Sequence, residues 1–325
     1  MNKKEIHIAC SSDDNYAQHV CVMLYSLLEN VSKDYLINIR ILDGGIEDIN
    51  KEKIIKSLAK FSNKKITFIE INSDKYAGFK KCAHLTEATY YRLDLPNICR
   101  DIDKVIYLDC DLIVREDISN LWEIDLAGRY LLAAKTLVKS YVEYLCNTFN
   151  LPAGYNYFSA GVMVENLKKM REKRSVENIF NFLKNNSEKL FAADQDVLNV
   201  FFGNNFLEID PRWNQTSFFH YIKNHNNTPF SEKQFLECKR KPYIIHFDGN
   251  KPWAYGNVHP LKYEYYKYLK KTEYRDFKPK KNYKNLFINA ITFFGLSMVN
   301  KLPDRVYSFM VPFLKRVEQL FIKIK

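Results

Sequence analysis

Two carboxylates one residue apart, Asp109 and Asp111, follow directly on the run Lys104–Val105–Ile106–Tyr107–Leu108. The apolar part of that run is rich in β-branched and aromatic residues, which predicts a strand buried on both faces of a parallel sheet. In open α/β sheets ligands bind outside the carboxyl ends of the strands, and these acids emerge at such an end. Alternation along an extended chain sends residues i and i+2 to one side, so Asp109 and Asp111 can point at a single target. Adjacent carboxylates repel unless a cation lies between them. Oxygen ligands suit Mg²⁺ or Mn²⁺, and such ions keep positions open for substrate phosphates. Taken alone, two acids after a strand are more often a solvated turn. Their meaning depends on what else the chain brings to the same edge.

The elements around them alternate. The apolar strand Ile6–Ala9 is followed by helical spacing of Val20, Met23, Leu24, Leu27 and Leu28. Leu36–Leu42 predicts a second strand, Ile49, Ile54, Leu58 and Phe61 a second helix, and Ile66–Ile69 a third strand. A helix over Glu87–Leu95, stopped by Pro96, is expected before the strand that ends at Asp109. Further strands are expected near Tyr130–Ala134, Phe158–Val164 and Tyr243–His246. This βαβ order predicts a mostly parallel central sheet with helices on both faces. No Walker or dinucleotide glycine fingerprint is present, which removes support for P-loop and NAD readings.

Several other polar groups close strands or open helices. Asp13, Asp14, Asn15 and Tyr16 follow the first strand. Acids and amides there are ordinary helix starts, yet the same groups can hydrogen-bond a base or ribose while Tyr16 stacks on it, worth ~1–3 kcal/mol. Arg92 lies on the helix before Asp109, where a guanidinium fork suits bidentate contacts. His246 closes the strand Tyr243–Ile245 and is expected at the same edge of the sheet. A lone histidine after a strand is usually a satisfied core residue, although imidazole with two carboxylates is a reasonable set for Mn²⁺ or Zn²⁺, zinc being disfavoured where two of three ligands are oxygen and a nucleotide supplies the rest. Asp194, Gln195 and Asp196 precede the apolar helix of Val197, Leu198, Val200 and Phe201, and for Asp196 an acidic helix start is the favoured reading.

Six segments stand in a particular order: Ile6–Tyr16, His84–Leu93, Tyr107–Asp111, Tyr157–Met163, Asp194–Asn199 and His246–Trp253. In that order, over residues 5 to 255, the chain resembles glycosyltransferase family 8, retaining transferases that include bacterial lipopolysaccharide galactosyl- and glucosyltransferases and glycogenin. The resemblance implies a GT-A fold over residues 1–277 and an Mn²⁺ (or Mg²⁺) held by Asp109, Asp111 and His246. It implies a UDP-galactose or UDP-glucose donor at Asp14, Asn15, Tyr16, Arg92, Ser159 and Ala160, with Gly249 and Lys251 as a diphosphate clamp. Asp194 would hold hydroxyls of the hexose, and Gln195 would sit beneath its anomeric carbon. An amide is a poor nucleophile, so a same-face displacement is favoured over a covalent glycosyl-amide. The implied acceptor is a glycan or lipid-linked oligosaccharide of bacterial lipopolysaccharide or capsule synthesis, at the cytosolic face of the membrane. Two features depart from the family pattern. Ser159 stands where asparagine is common, offering a hydroxyl and no amide donor. The spacing from His246 to Lys251 is one residue shorter than in the galactosyltransferases this segment resembles.

With 325 residues, 46% of them hydrophobic, the chain can bury a full core. Seven cysteines without C-x-x-C spacing, and no secretory signal before Ile6, predict reduced thiols in a cytosolic protein. The net charge of +11 is unevenly placed: residues 278–325 hold ten Lys or Arg and two acids, leaving +3 for residues 1–277. That distribution argues against nucleic acid as the partner of the whole molecule and against a non-catalytic basic adaptor. Leu286–Val299 spans fourteen residues interrupted by Asn289, Thr292 and Ser297, too short for the ~20 apolar residues of a membrane span. From Arg305 onward Val306, Phe309, Met310, Phe313, Leu314, Val317, Leu320 and Phe321 recur at helical spacing among Lys315, Arg316 and Lys323. The apolar stripe would equally serve a helix packed on the catalytic domain; the tail's basic charge favours reading 278–325 as an in-plane amphipathic anchor on an anionic membrane surface. Truncation after Asp276 is expected to leave UDP-sugar hydrolysis intact and abolish co-sedimentation with anionic liposomes; liposome binding by the truncated protein would refute the anchor.

Overall fold

The computed structural model describes residues 3–282 except 77, 80–85, 137, 138, 153 and 250. Ten strands are found among them: β1 (Lys4–Ser12), β2 (Tyr35–Asp43), β3 (Lys64–Glu70), β4 (Lys104–Leu108), β5 (Leu112–Val114), β6 (Leu131–Lys135), β7 (Phe158–Asn166), β8 (Phe206–Glu208), β9 (Gln215–Thr216) and β10 (Ile244–His246). Seven form a central sheet in the order β3-β2-β1-β4-β7-β6-β8, and β5-β10-β9 form a small second one. The expected α/β architecture is present. β1 to β4 pair in parallel, and β7 alone runs against its neighbours β4 and β6.

Both faces of the central sheet are covered, and the side-chain period of two sorts the residues between them. Ile6, Ile8, Ile106 and Leu108 pack under the helix Ala17–Asn30 in one core, while Ala9, Val105 and Tyr107 belong to a second core on the opposite face. Because β7 is antiparallel, its first residues lie at the edge where β1 and β4 end. Leu108 pairs with Val162, so Phe158 to Gly161 project beyond β4 toward the two acids.

Two expectations need correction. His246 does not close a strand of the central sheet: β10 pairs with β5, with His246 opposite Leu112. The chain leaves the central sheet at Asp109, enters the small sheet at Leu112, and the D-x-D segment is the junction between the two. The helix expected over Glu87–Leu95 is a 3-10 helix, Glu87–Asp94, and Pro96 does not stop it but sits in the first turn of the following helix, Leu95–Ile98. Proline lacks only an N–H that the first turn leaves unpaired anyway.

Tyr274 and Phe277 pack on the first core, so a truncation after Asp276 removes a core-packed ring and the cut belongs after Phe277. The remainder of the predicted tail, residues 283–325, lies outside the described residues. Among the described residues no helix is long and apolar enough to cross a membrane. The cysteines described are free thiols, and Cys110 turns away from its acidic neighbours to donate to the Ser11 carbonyl at 2.8 Å.

Glu165 is the anomaly of the fold. It sits in β7 between Val105 and Leu131, 2% exposed, with Oε1 unpartnered. Burial lifts its carboxyl to about 8, opposed only by Arg92. Between the ordinary value of 4.5 and about 8 the folded chain therefore holds one proton more than the unfolded chain, and stability falls as pH rises through that window. Thermal melts of wild type are expected to decline from about pH 5 to about pH 8, and Glu165→Gln to flatten that decline. An unchanged slope in the variant would show that Glu165 is charged in the native state.

Candidate metal and donor site

Asp109, Asp111 and His246 converge so that one ligand atom from each lies within 4.8 Å of the others. His246 Nε2 is 3.4 Å from Asp111 Oδ1 and 3.8 Å from Asp109 Oδ2. Backbone bonds fix the junction at both ends: Asp109 N–H donates to the Gly161 carbonyl at 2.9 Å, and Phe247 N–H to the Asp111 carbonyl at 3.0 Å. Two carboxylates and an imidazole form a donor set suited to Mn²⁺ or Mg²⁺, and three protein ligands leave positions for substrate oxygens. The surroundings also fit an ion. A Cβ at Gly161 would lie 2.3 Å from His246 Cε1 and 3.0 Å from Asp109 Oδ2, so glycine alone leaves room for the three ligands to meet.

Burial opposes charge throughout this cluster, and the neighbours decide the outcome. It lifts the Asp109 carboxyl above its ordinary range against the pull of Arg92. At Asp111 burial is overcome by Lys251 and His246, which hold the carboxylate ionised far below the usual range. Burial presses His246 toward neutrality, but Asp111 outweighs it and leaves the ring more basic than usual. Lys251 Nζ pairs directly with Asp111 and donates to the Phe247 carbonyl at 2.9 Å.

Arg92 is the hub of the neighbouring site. Its Nη2 reaches Asp109 Oδ1 at 2.5 Å, Nε reaches Asp194 Oδ2 at 2.9 Å, and Nη1 donates to the Ala160 carbonyl at 2.9 Å. The guanidinium lies 4.4 Å over the Tyr107 ring, a cation–π contact inside the core. Asp194 also accepts from Thr89 Oγ1 at 2.7 Å, and burial lifts its carboxyl to about 6 against the pull of Arg92.

Gln195 lies flat against the start of β7. Its Oε1 accepts from Ala160 N–H at 2.9 Å, and its Nε2 donates to Tyr157 Oη at 3.0 Å. Ala160 thus joins Arg92, through its carbonyl, to Gln195, through its N–H. Asp196 has the structural part expected of it: it accepts from Tyr157 Oη and from the Phe191 and Ala192 N–H groups, each at 2.7 Å. Asn199, fully buried, clips the same helix to both backbone groups of Phe158 at 2.7 and 2.9 Å. Ser159 is buried beside Ala160, and its carbonyl accepts from Asn214 Nδ2 at 3.4 Å.

The N-terminal loop divides its roles. Asp13 caps the short turn Asp14–Tyr16 by accepting from Tyr16 N–H at 3.1 Å. Asp14 Oδ1 accepts from Glu47 N–H and Asn50 Nδ2 at 2.9 and 2.8 Å, tying the loop to the next helix, and Asn15 is exposed. Tyr16 is half-buried, edge-on to Trp253 at 6.0 Å and close enough to Lys251 and Asp111 to feel both charges. Gly249 is exposed, and a Cβ there would meet only Ser217 at 3.9 Å, so the protein's own packing does not require glycine. Gly161, Asn199, Thr89 and Asn214 carry no role in the sequence reading. Thr89, Gly161 and Asn199 stand inside the motif segments; Asn214 has no local signal, because only the pairing of β9 with β10 brings it beside His246.

Residues 7–256 match the sequence profile of Glycosyl transferase family 8. General stress protein A of Bacillus subtilis (strain 168) is 33% identical over 280 residues, covering 84% of this chain and 96% of that protein. Lipopolysaccharide 1,2-glucosyltransferase of Escherichia coli (strain K12) is 26% identical over 301 residues, 87% of this chain and 86% of that one. The crystal structure of the galactosyltransferase LgtC in complex with donor and acceptor sugar analogs aligns with a TM-score of 0.73 and 26% identity, over 82% of this chain and 96% of that one. The likeness makes the fold GT-A-like.

Gly161→Ala tests the cradle. A methyl group there displaces His246 from the two acids, and Mn²⁺ affinity measured by titration is expected to fall about 10- to 100-fold, the range seen when a ligand's support is lost. Wild-type affinity in the variant would show that the three side chains do not share an ion.

Proposed function

Because the chain belongs to glycosyltransferase family 8, we propose that this glycosyltransferase moves a hexose from UDP-galactose or UDP-glucose to a glycan acceptor, with metal dependence and retention of the anomeric configuration. The observation that carries this reading is the Asp109–Asp111–His246 cluster set directly beside the Arg92–Asp194 pair. Hexose donors are favoured by the names of two relatives, a glucosyltransferase and a galactosyltransferase. A bound Mn²⁺ or Mg²⁺ would supply Lewis-acid neutralisation of the diphosphate charge as UDP leaves.

The chain's own groups do the rest. Lys251, a half-buried cation beside Asp111, is placed to add positive charge at the departing diphosphate. Arg92 holds Asp194 in one orientation, which presents a carboxylate of fixed geometry to sugar hydroxyls. Gln195 is oriented by Ala160 and Tyr157, so its amide dipole is preorganised next to the start of β7 rather than free to rotate. Ser159 leaves this strand with a hydroxyl where an amide is common, and we assign to it the choice between galactose and glucose. The acceptor is proposed to be a lipid-linked oligosaccharide of bacterial surface-glycan synthesis. The basic segment 278–325 would hold the enzyme peripherally on the cytosolic leaflet beside it.

Asp109→Asn and Asp111→Asn are each expected to lower transfer by several kcal/mol of transition-state stabilisation, roughly two or more factors of ten, as followed by UDP release in Mn²⁺. EDTA should silence wild type and Mn²⁺ restore it; near-normal turnover in either variant would exclude the metal assignment. Gln195→Ala should reduce kcat more than it raises KM for the donor. NMR of the anomeric proton in an early product decides the stereochemistry: a β-linked product from the α-linked donor contradicts retention.

A further inference from the structure

Asn214 closes the short turn Pro211–Asn214 and is 2% exposed. Its amide lies between two groups of different character. Nδ2 faces the Ser159 carbonyl at 3.4 Å, and Oδ1 faces His246 Nδ1 at 2.8 Å. A carbonyl oxygen has no hydrogen to give, so the NH₂ end of the amide must be the end turned toward Ser159. The oxygen end is then turned toward His246, and an amide oxygen only accepts. His246 Nδ1 must therefore carry a hydrogen. In the neutral ring that places the lone pair on Nε2, the atom that faces Asp111 and Asp109.

The reversed amide would set its oxygen against the Ser159 oxygen and donate to Nδ1. The ring hydrogen would then sit on Nε2, where it bonds to Asp111 and leaves no lone pair for a cation. The two arrangements make His246 either a ligand or a structural donor, and the Ser159 carbonyl selects between them. Asn214 also spans the two sheets, since it precedes β9 of the small sheet while Ser159 belongs to β7.

We infer that Asn214 is a positioning residue that holds His246 in its Nδ1–H form, so that Nε2 is free to ligate a divalent cation, and that ties this ligand to the strand carrying Ser159 and Ala160. The inference rests on the reading of the cluster as a divalent-metal site. It is tested on the full chain by two measurements: Mn²⁺ affinity, from the electron-paramagnetic signal of free Mn²⁺, and the ¹⁵N spectrum of the His246 ring in metal-free protein at a pH where the ring is neutral. Wild type is expected to show Nδ1 protonated and Nε2 bare. Asn214→Ala is expected to weaken Mn²⁺ binding about 10- to 100-fold and to release the ring to the other tautomer. Asn214→Leu keeps the volume but offers no accepting oxygen, and it is expected to lose affinity as Asn214→Ala does, which a merely packing role would not predict. Protonation of Nε2 alone in wild type overturns the inference, and this result stands even where Asn214→Ala does not fold. Mn²⁺ binding by wild type that Asn214→Ala leaves unchanged overturns this inference alone, whereas wild type that binds no Mn²⁺ overturns the metal reading and this inference with it.

Discussion

Asp109, Asp111 and Asp194 are brought together in a region largely withdrawn from water, where like charges repel strongly and each ionised carboxylate must be compensated. Most of the site follows from that demand. Arg92 answers it on one side by bridging Asp109 and Asp194, and Lys251 and His246 answer it on the other at Asp111. A buried guanidinium has its own requirements, met by the Ala160 carbonyl and by the face of Tyr107. Tyr107 comes from the same strand that delivers Asp109, so the D-x-D strand also supports the cation that makes its acids tolerable.

The second constraint is geometric. Asp109 belongs to the end of the central sheet and Asp111 to the start of the small one, so the acids sit where two sheets meet. Their relative position depends on hydrogen bonds to Gly161 on β7 and to Phe247 after β10. The antiparallel course of β7 matters here, because it turns the backbone of Ser159, Ala160 and Gly161 toward the edge where the parallel strands end. A parallel strand in that place would bring its carboxyl end instead, and the link that Ala160 makes between Arg92 and Gln195 would have no counterpart.

The segment from His246 to Trp253 is secured at both of its ends. His246 is held in β10, and Trp253 stacks on His19 of the helix Ala17–Asn30, with ring centroids 3.5 Å apart and planes 12° from parallel. Burial drives the His19 imidazole down to about 3, so it stacks as a neutral ring while its Nδ1 bonds Tyr265 Oη at 2.7 Å. Gly249 and Lys251 lie between these anchors. The cation that pairs with Asp111 thus hangs from a short span whose ends are fixed by aromatic packing and by sheet pairing.

Much of this was legible from residue order. Apolar periodicity located nearly every strand of the central sheet, and the residue after each strand marked the edge where polar groups gather. Alternation alone put Asp109 and Asp111 on one side. These are local facts, set by the backbone repeat within a single element. What tertiary structure decided is everything that depends on which element lies beside which. Periodicity placed His246 at the end of an apolar strand but could not say that the strand belongs to a second sheet and pairs with the residues just after Asp111. Nor could it show that Gly161 has no room for a Cβ, or that Asn214 faces both His246 and Ser159. Register between strands far apart in the chain is set by the packing of whole faces, and no window of neighbouring residues contains that information.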